Sequence, residues 1–222
     1  MIVAFFIYSN KIYRLVYFMY LCSNMATKAA LTSQHIIEVS APIFNKNGYA
    51  ATSISDITKA TGLTKGAIYG NFKNKEELAY ASFKYMVKSL MKPLSEHLEL
   101  SDSPIRKLFL ITDFYRNYYP FSKELGGCPV LNIGVDANNS NSELLKKVRD
   151  VVQRIQDQLC NIIEEGIEIG EISTEINAMQ YAKRIDTMIQ GAIFMTYTMD
   201  DELYMKDTMD QIDQLIHNEL KI

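Results

Sequence analysis

The sequence predicts an all-α protein, with a small N-terminal unit of short helices followed by a larger helical remainder. Three observations predict it. Ten Gly and five Pro in 222 residues leave too few turn formers for a β-sandwich or a doubly wound α/β fold. Apolar residues recur at three- and four-residue intervals and do not alternate. Ser, Thr or Asn followed three residues later by an acid marks repeated helix starts. A hydrophobic share of 48% and a charged share of 22% supply a core and exclude disorder and fibrous repeats. The length suits one large domain or two small ones.

Residues 1–24 are unlike the rest. An apolar run over 1–8 is interrupted by Ser9, Asn10 and Lys11, and a second run over 15–22 follows Arg14. Neither run is long enough to span a bilayer. As a single helix they would place Lys11 and Arg14 near its centre, at about 2.5–3.5 kcal/mol each. A signal peptide carries its positive charge ahead of the apolar segment, which this one does not. The expectation is that Met25 is the start and that 1–24 is an extension outside the fold, with no membrane partner.

From there the elements follow in order. Thr32 is positioned to cap a helix whose apolar residues Ile36, Val39, Ile43 and Phe44 share a face, with Asn47-Gly48 as its stop. Pro42 inside it removes a hydrogen bond at about 3 kcal/mol and predicts a kink or break. Ser53 and Asp56 form a capping pair for a short helix with Ile54, Ile57 and Ala60 inward and Gly62 as terminator. Thr64 caps a third helix, and Asn74 with Glu77 opens a fourth that runs to Met91, where Pro93 ends it. The helices over 53–60 and 64–71 are joined only by Thr61-Gly62-Leu63, the spacing of a helix-turn-helix. In the second of them Ile68 and Phe72 face the core while Lys65 and Tyr69 face outward. Gly66 and Gly70 weaken it by about 1 kcal/mol each, which suits a backbone that something approaches closely. Lys73 and Lys75 flank the N-terminus of the fourth helix, where the dipole adds to phosphate attraction.

Charge divides along the same line. Residues 25–92 carry nine Lys against four acids, a net +5, whereas 93–222 carry 12 basic and 22 acidic residues, a net −10. A basic head on an acidic body points to an anionic polymer bound at one end.

The run Gly48-Tyr49-Ala50-Ala51-Thr52-Ser53-Ile54-Ser55-Asp56-Ile57, then Thr61-Gly62-Leu63-Thr64-Lys65-Gly66-Ala67-Ile68-Tyr69 and Phe72-Lys73-Asn74-Lys75-Glu76-Glu77-Leu78, resembles the N-terminal domain of TetR/AcrR-type transcriptional regulators. The resemblance implies a three-helix DNA-binding domain over 25–78 (motif 53–72) and a helical effector-binding and dimerisation domain over 79–222. It implies that Thr52 and Ser53 touch phosphate. Thr64, Lys65, Gly66 and Ala67 would enter the major groove, and Tyr69, Asn71 and Lys75 would hold the backbone of a double-stranded operator. The function implied is a repressor, released from a palindromic operator by a small molecule.

The remainder reads as more helix. Residues 104–119 are rich in Leu, Ile, Phe and Tyr; after Gly126-Gly127-Cys128-Pro129 comes a short apolar piece over 130–135 and a polar loop over 138–142. A long amphipathic helix from Glu143 carries Leu144, Val148, Val151, Ile155, Leu159, Ile162 and Ile163. The helix over 176–199 has two stripes, one through Ala182, Ile185, Ile189, Ala192 and Thr196, the other through Tyr181, Met188 and Met195. The helix over 203–220 adds Met205, Met209, Ile212 and Ile216. By resemblance these two helices pair with their copies in a twofold dimer; the alternative is that the stripes fill one monomer's core. Phe109, Phe114, Tyr115, Tyr118, Cys128, Tyr181, Phe194 and Met195 are the candidate lining of an effector pocket. Cys128, near a helix start, also admits a redox- or electrophile-sensing reading. A helical interaction module without DNA is the third class. No nucleophile-base arrangement, phosphate-cradling loop or metal-ligand spacing supports an enzyme, a cofactor or a metal. Three unpaired cysteines fit the reducing cytoplasm.

Overall fold

In a computed structural model of the protein, residues 28–222 are described; the expectations for 1–24 lie outside them. All regular structure there is helical, one isolated antiparallel bridge between Ile172 and Lys221 aside. Helix α1 (Lys28–Ala51) begins four residues before the expected cap, and the Thr32 hydroxyl instead donates back to the Lys28 carbonyl at 2.8 Å. It stays helical through Pro42 and breaks at Gly48, with φ 81° and ψ 165°. The proline is tolerated because α1 is packed along its length: Ile36, Ser40, Ala41 and Phe44 are buried on both sides of it, and that burial outweighs one missing bond.

Helix α2 (Ile54–Thr61) has the full capping box. Ser53 Oγ accepts from the Asp56 amide at 3.2 Å and Asp56 Oδ2 accepts from the Ser53 amide at 2.8 Å. Gly62 ends it in the left-handed region at φ 70°. Its inward face is Ile54, Ile57 and Thr61. Ala60 is exposed, because the i,i+4 step from Ile57 falls on Thr61, whose hydroxyl donates to the Ile57 carbonyl at 2.7 Å. Helix α3 (Lys65–Asn71) is capped by Thr64, whose Oγ1 accepts from the Ala67 amide at 3.2 Å.

Helix α4 (Lys75–Leu98), capped by Asn74, does not stop before Pro93; it continues a further turn, placing Leu94 and Leu98 against the larger core. It crosses the 78/79 position as one uninterrupted rod. The core around α1–α3, with Ile36, Phe44, Ile57, Ile68, Phe72, Leu78 and Phe83, is completed by Ile133, Ala137, Leu144 and Val148 from farther along the chain. The N-terminal helices, here called the head, are thus packed directly on the second domain.

There follow α5 (Pro104–Arg116), α6 (Tyr118–Glu124), α7 (Pro129–Ser140), α8 (Ser142–Glu168), α9 (Ala178–Met199) and α10 (Leu203–Leu215), the last continued by a π-helical turn, Ile216–Leu220. The apolar piece over 130–135 is a full helix, and the polar loop shrinks to Asn141, whose side chain caps α8. The first stripe of α9 is buried throughout, as are Met205, Met209, Ile212 and Ile216. The stripe of the last helix is therefore monomer core. Phe194, Met199, Leu203 and Tyr204 remain exposed on and between α9 and α10.

Gly48→Ala tests the break in α1. That φ/ψ region is open essentially to Gly alone, and an added Cβ would lie 3.1 Å from Asp136 Cγ. The expected result is a loss of about 1–3 kcal/mol in denaturant unfolding.

Candidate nucleic-acid interface

The capped start of α3 presents Thr64, Lys65 and Gly66 to solvent, with Ala67 half-buried behind them. Tyr69 is 42% exposed, and Lys65 Nζ lies 5.8 Å from its ring centroid, so both sit on one outward face. Ile68 and Phe72, on the opposite side, are buried and fix the helix to the core. No atom comes within 4 Å of a Cβ placed on Gly70, and at Gly66 only Thr64 Oγ1 does, at 3.9 Å. Among the described residues, no side chain packed against Gly66 or Gly70 demands a glycine there.

Ser53 is exposed at the start of α2, and hydrogen bonds from Ser53 to Asp56 hold that carboxyl below the usual carboxylate range. The other candidates are engaged within the head. Thr52 is buried and its hydroxyl donates to the Gly48 carbonyl at 2.7 Å. Asn71 Nδ2 donates to the Ala67 carbonyl at 2.8 Å, and its Oδ1 accepts from Ser33 Oγ at 2.7 Å. Lys75 Nζ donates to the Thr52 carbonyl at 2.8 Å and lies 4.3 Å from the Tyr49 ring centroid. Ser53, Thr64, Lys65, Gly66 and Tyr69 are thus exposed, Ala67, Asn71 and Lys75 are half-buried, and Thr52 is buried.

Sequence reasoning missed the joint between this head and the second domain. Asn45, 3% exposed on α1, donates from Nδ2 to the Leu125 carbonyl at 3.0 Å and the Gly127 carbonyl at 2.9 Å. Asn132 of α7 donates to the Asn45 carbonyl at 3.1 Å and the Gly126 carbonyl at 2.9 Å. Beyond the Gly48 break, Asp136 Oδ2 accepts from the amides of Tyr49 at 2.6 Å and Ala50 at 3.3 Å. A buried polar residue must find partners. The available signal was Asn45 itself, one turn after buried Ala41 on a packed face.

Of the candidate pocket residues, Tyr115, Tyr118 and Cys128 come together around a narrow cavity of about 10 Å³ whose other walls include Leu90, Met91, Val130, Ile155, Gln190 and Ile193. Cys128 and Ile193 also border a surface pocket of about 230 Å³ with Asn132, Phe194 and Tyr197. Phe114 packs edge-on against Tyr115 at 5.5 Å without lining either space. Phe109 and Met195 line neither, and Tyr181 points to the surface, donating to Glu219 at 2.8 Å. A larger surface groove of about 770 Å³ between α4 and α8, floored by Met91, Leu94, Leu98 and Ile162, was not anticipated. Burial pushes the Cys128 thiol up, against the amides of Leu131 and Val130 at the start of α7, which pull it down.

Known proteins place this architecture. Residues 36–81 match the model of bacterial regulatory proteins of the tetR family, and residues 104–212 match the tetracyclin repressor-like C-terminal domain. A fatty acid metabolism regulator protein of Bacillus subtilis (strain 168) is 26% identical over 169 residues, covering 76% of this chain and 84% of that protein. The HTH-type transcriptional repressor DhaR of Mycobacterium sp. (strain GP1) is 29% identical, over 72% of this chain and 79% of its own. The crystal structure of a TetR-family transcriptional regulator from Cytophaga hutchinsonii superposes with a TM-score of 0.84 at 30% identity, covering 90% of this chain and 99% of that one. The chain belongs to the TetR family, whose members are DNA-binding, dimer-forming transcriptional regulators and not enzymes.

Proposed function

We propose that the protein is a cytoplasmic, ligand-responsive repressor that binds a palindromic operator as a homodimer and leaves it when a small molecule occupies the second domain. One observation carries the ligand response. The Leu125–Cys128 loop supplies both a wall of the narrow cavity and the carbonyls that hold buried Asn45 of the reading head. A guest that displaces Cys128 moves the acceptors on which the head is hung. Ligand and operator then favour different arrangements of one joint, and a coupling of about 1–3 kcal/mol is the usual size of such linkage.

On the DNA side, Thr64, Lys65, Gly66 and Ala67 enter the major groove. Ser53 and Tyr69 contact phosphate, and Thr52, Asn71 and Lys75 act from behind by holding those groups in place. The exposed apolar side chains of α9 and α10, Phe194 and Tyr204 among them, support a twofold contact between copies through those helices. No helix among the described residues is long and apolar enough to cross a membrane. Neither alternative reading gains support: the interaction module leaves the family's DNA binding unused, and the sensing cysteine is buried, which raises its pKa and disfavours the thiolate.

The experiment is footprinting on the DNA that flanks the protein's own gene, followed by operator affinity against salt. Log K should fall against log salt at about −0.9 per neutralised phosphate. Lys65→Ala should either reduce that slope by about 1 or relax selectivity at one base by about 1–3 kcal/mol. A flat salt response would remove the DNA reading. For Cys128, alkylation by iodoacetamide at pH 8, followed by peptide mass spectrometry, should run at least about tenfold slower than for an unstructured cysteine; labelling at the unstructured rate would restore the sensing alternative.

A further inference from the structure

Asp186 lies on α9 and is 4% exposed. Its carboxylate accepts from Gln156 Nε2 at 2.8 Å and from Gln190 Nε2 at 3.3 Å. No basic side chain pairs with it among the described residues. Taking a carboxylate out of water without a counter-charge is expensive, and neutral amides offset only part of the penalty. Proteins carry such groups chiefly at sites that meet a ligand or do chemistry.

Asp186 does not itself line the narrow cavity; it stands behind its wall, joined to the lining residue Gln190. Gln190 lines that cavity and donates to Asp186; burial first, with a smaller contribution from the nearby Asp186, favours the neutral forms of Tyr115 and Cys128, two further wall residues. No Lys or Arg is among the lining residues. The rings of Tyr115 and Tyr118 lie 5.2 Å apart, with Phe114 at 5.5 and 6.2 Å from them, a cluster of aromatic faces. Aromatic faces attract cations, the more so when water is excluded.

We propose that the effector of this domain is a cationic amphipath, a protonated or quaternary amine on an aromatic or branched apolar body, with Asp186 as its counter-charge and Tyr115 and Tyr118 around it. The proposal rests on the reading that a small molecule acts through this domain, and it names the class of molecule. A cavity of about 10 Å³ has room for no more than a water, so the guest must open it. Cys128 and Ile193 are shared with the surface pocket of about 230 Å³ and form the partition between the two spaces. Met91, unbranched and adaptable, is the wall residue that yields most readily. Opening at Cys128 strains the loop that holds Asn45, so the event that admits the cation is also the event that loosens the head. An anionic head group at the same depth would face Asp186 with no positive partner. The carboxylate of a fatty acid, the ligand class suggested by the name of one relative, is therefore disfavoured there.

The test compares three probes of similar shape on the full chain: benzyltrimethylammonium, its neutral carbon isostere neopentylbenzene, and the anion phenylacetate. Calorimetry gives affinity, and competition with labelled operator gives release. The cation should bind at least about tenfold tighter than the neutral isostere, should release operator, and should lose that preference in Asp186→Asn. Equal affinity for cation and isostere, no binding of the cation, or a preference that survives Asp186→Asn each overturn the charge assignment. The wild-type comparison tests the preference for a cation even if Asp186→Asn fails to fold, and Asp186→Glu, which keeps the charge and should keep the preference, then tests the residue. Should phenylacetate or the neutral probe bind and release operator while the cation does not, the charge assignment falls and the ligand-responsive reading stands. Should the cation bind with the stated preference and leave operator binding unchanged, the site is real and the release mechanism is wrong.

Discussion

The amide of Asn45 is the point on which the arrangement of the two domains depends. It is buried, it belongs to the reading head, and both acceptors of its Nδ2 belong to one loop of the second domain. Removing it would strand carbonyls at about 1–3 kcal/mol each, so the joint has one strongly preferred geometry. Asn132 closes the same network from α7, and Asp136 adds the amides freed where α1 breaks at Gly48. Apolar contacts alone, such as those of the cluster that holds Phe44, Ile133 and Ala137, are less directional and would tolerate sliding. The hydrogen bonds set the register.

That register reaches the DNA face through a short covalent path. Asp136 holds Tyr49 and Ala50; two residues on, the Thr52 carbonyl takes the Lys75 ammonium; Ser53 then caps α2. The exposed turn of α3 is anchored to the same core by Ile68 and Phe72. The orientation of Lys65 and Tyr69 is thus inherited from contacts that begin at the wall of the narrow cavity. The buried charge at Asp186 gives that cavity an electrostatic preference, and its small size means that occupancy and conformational change go together.

Much of this was legible in the amino-acid order, for reasons that are local. The caps at Ser53, Thr64 and Asn74 involve groups within three residues of one another, and the Gly62 terminator needs only its own backbone. Pro42 and Pro93 misled because their penalty is local while the compensation is tertiary: Ile36, Phe44, Leu94 and Leu98 are held by distant helices. Thr52 and Asn71 read as contacts from their place in the motif; that their hydroxyl and amide groups also bond to Gly48, Ala67 and Ser33 depends on the folded arrangement and is not written in the motif. The pairing of Asn45 with Leu125 and Gly127 spans about eighty residues, and no pattern in a single sequence encodes which loop answers a buried amide. For the same reason the stripe of the last helix could not be assigned to core or to partner before its neighbours were known.

The most direct measurement is operator affinity of Asn45→Ala, taken together with amide hydrogen exchange over residues 54–71. If the joint orients the head, exchange protection in α2 and α3 stays at the wild-type level while operator affinity falls by about tenfold or more, a coupling of the size expected for linked domains. Wild-type affinity in the variant, with protection intact, would show that the head finds its orientation without the Asn45 amide and would contradict the account.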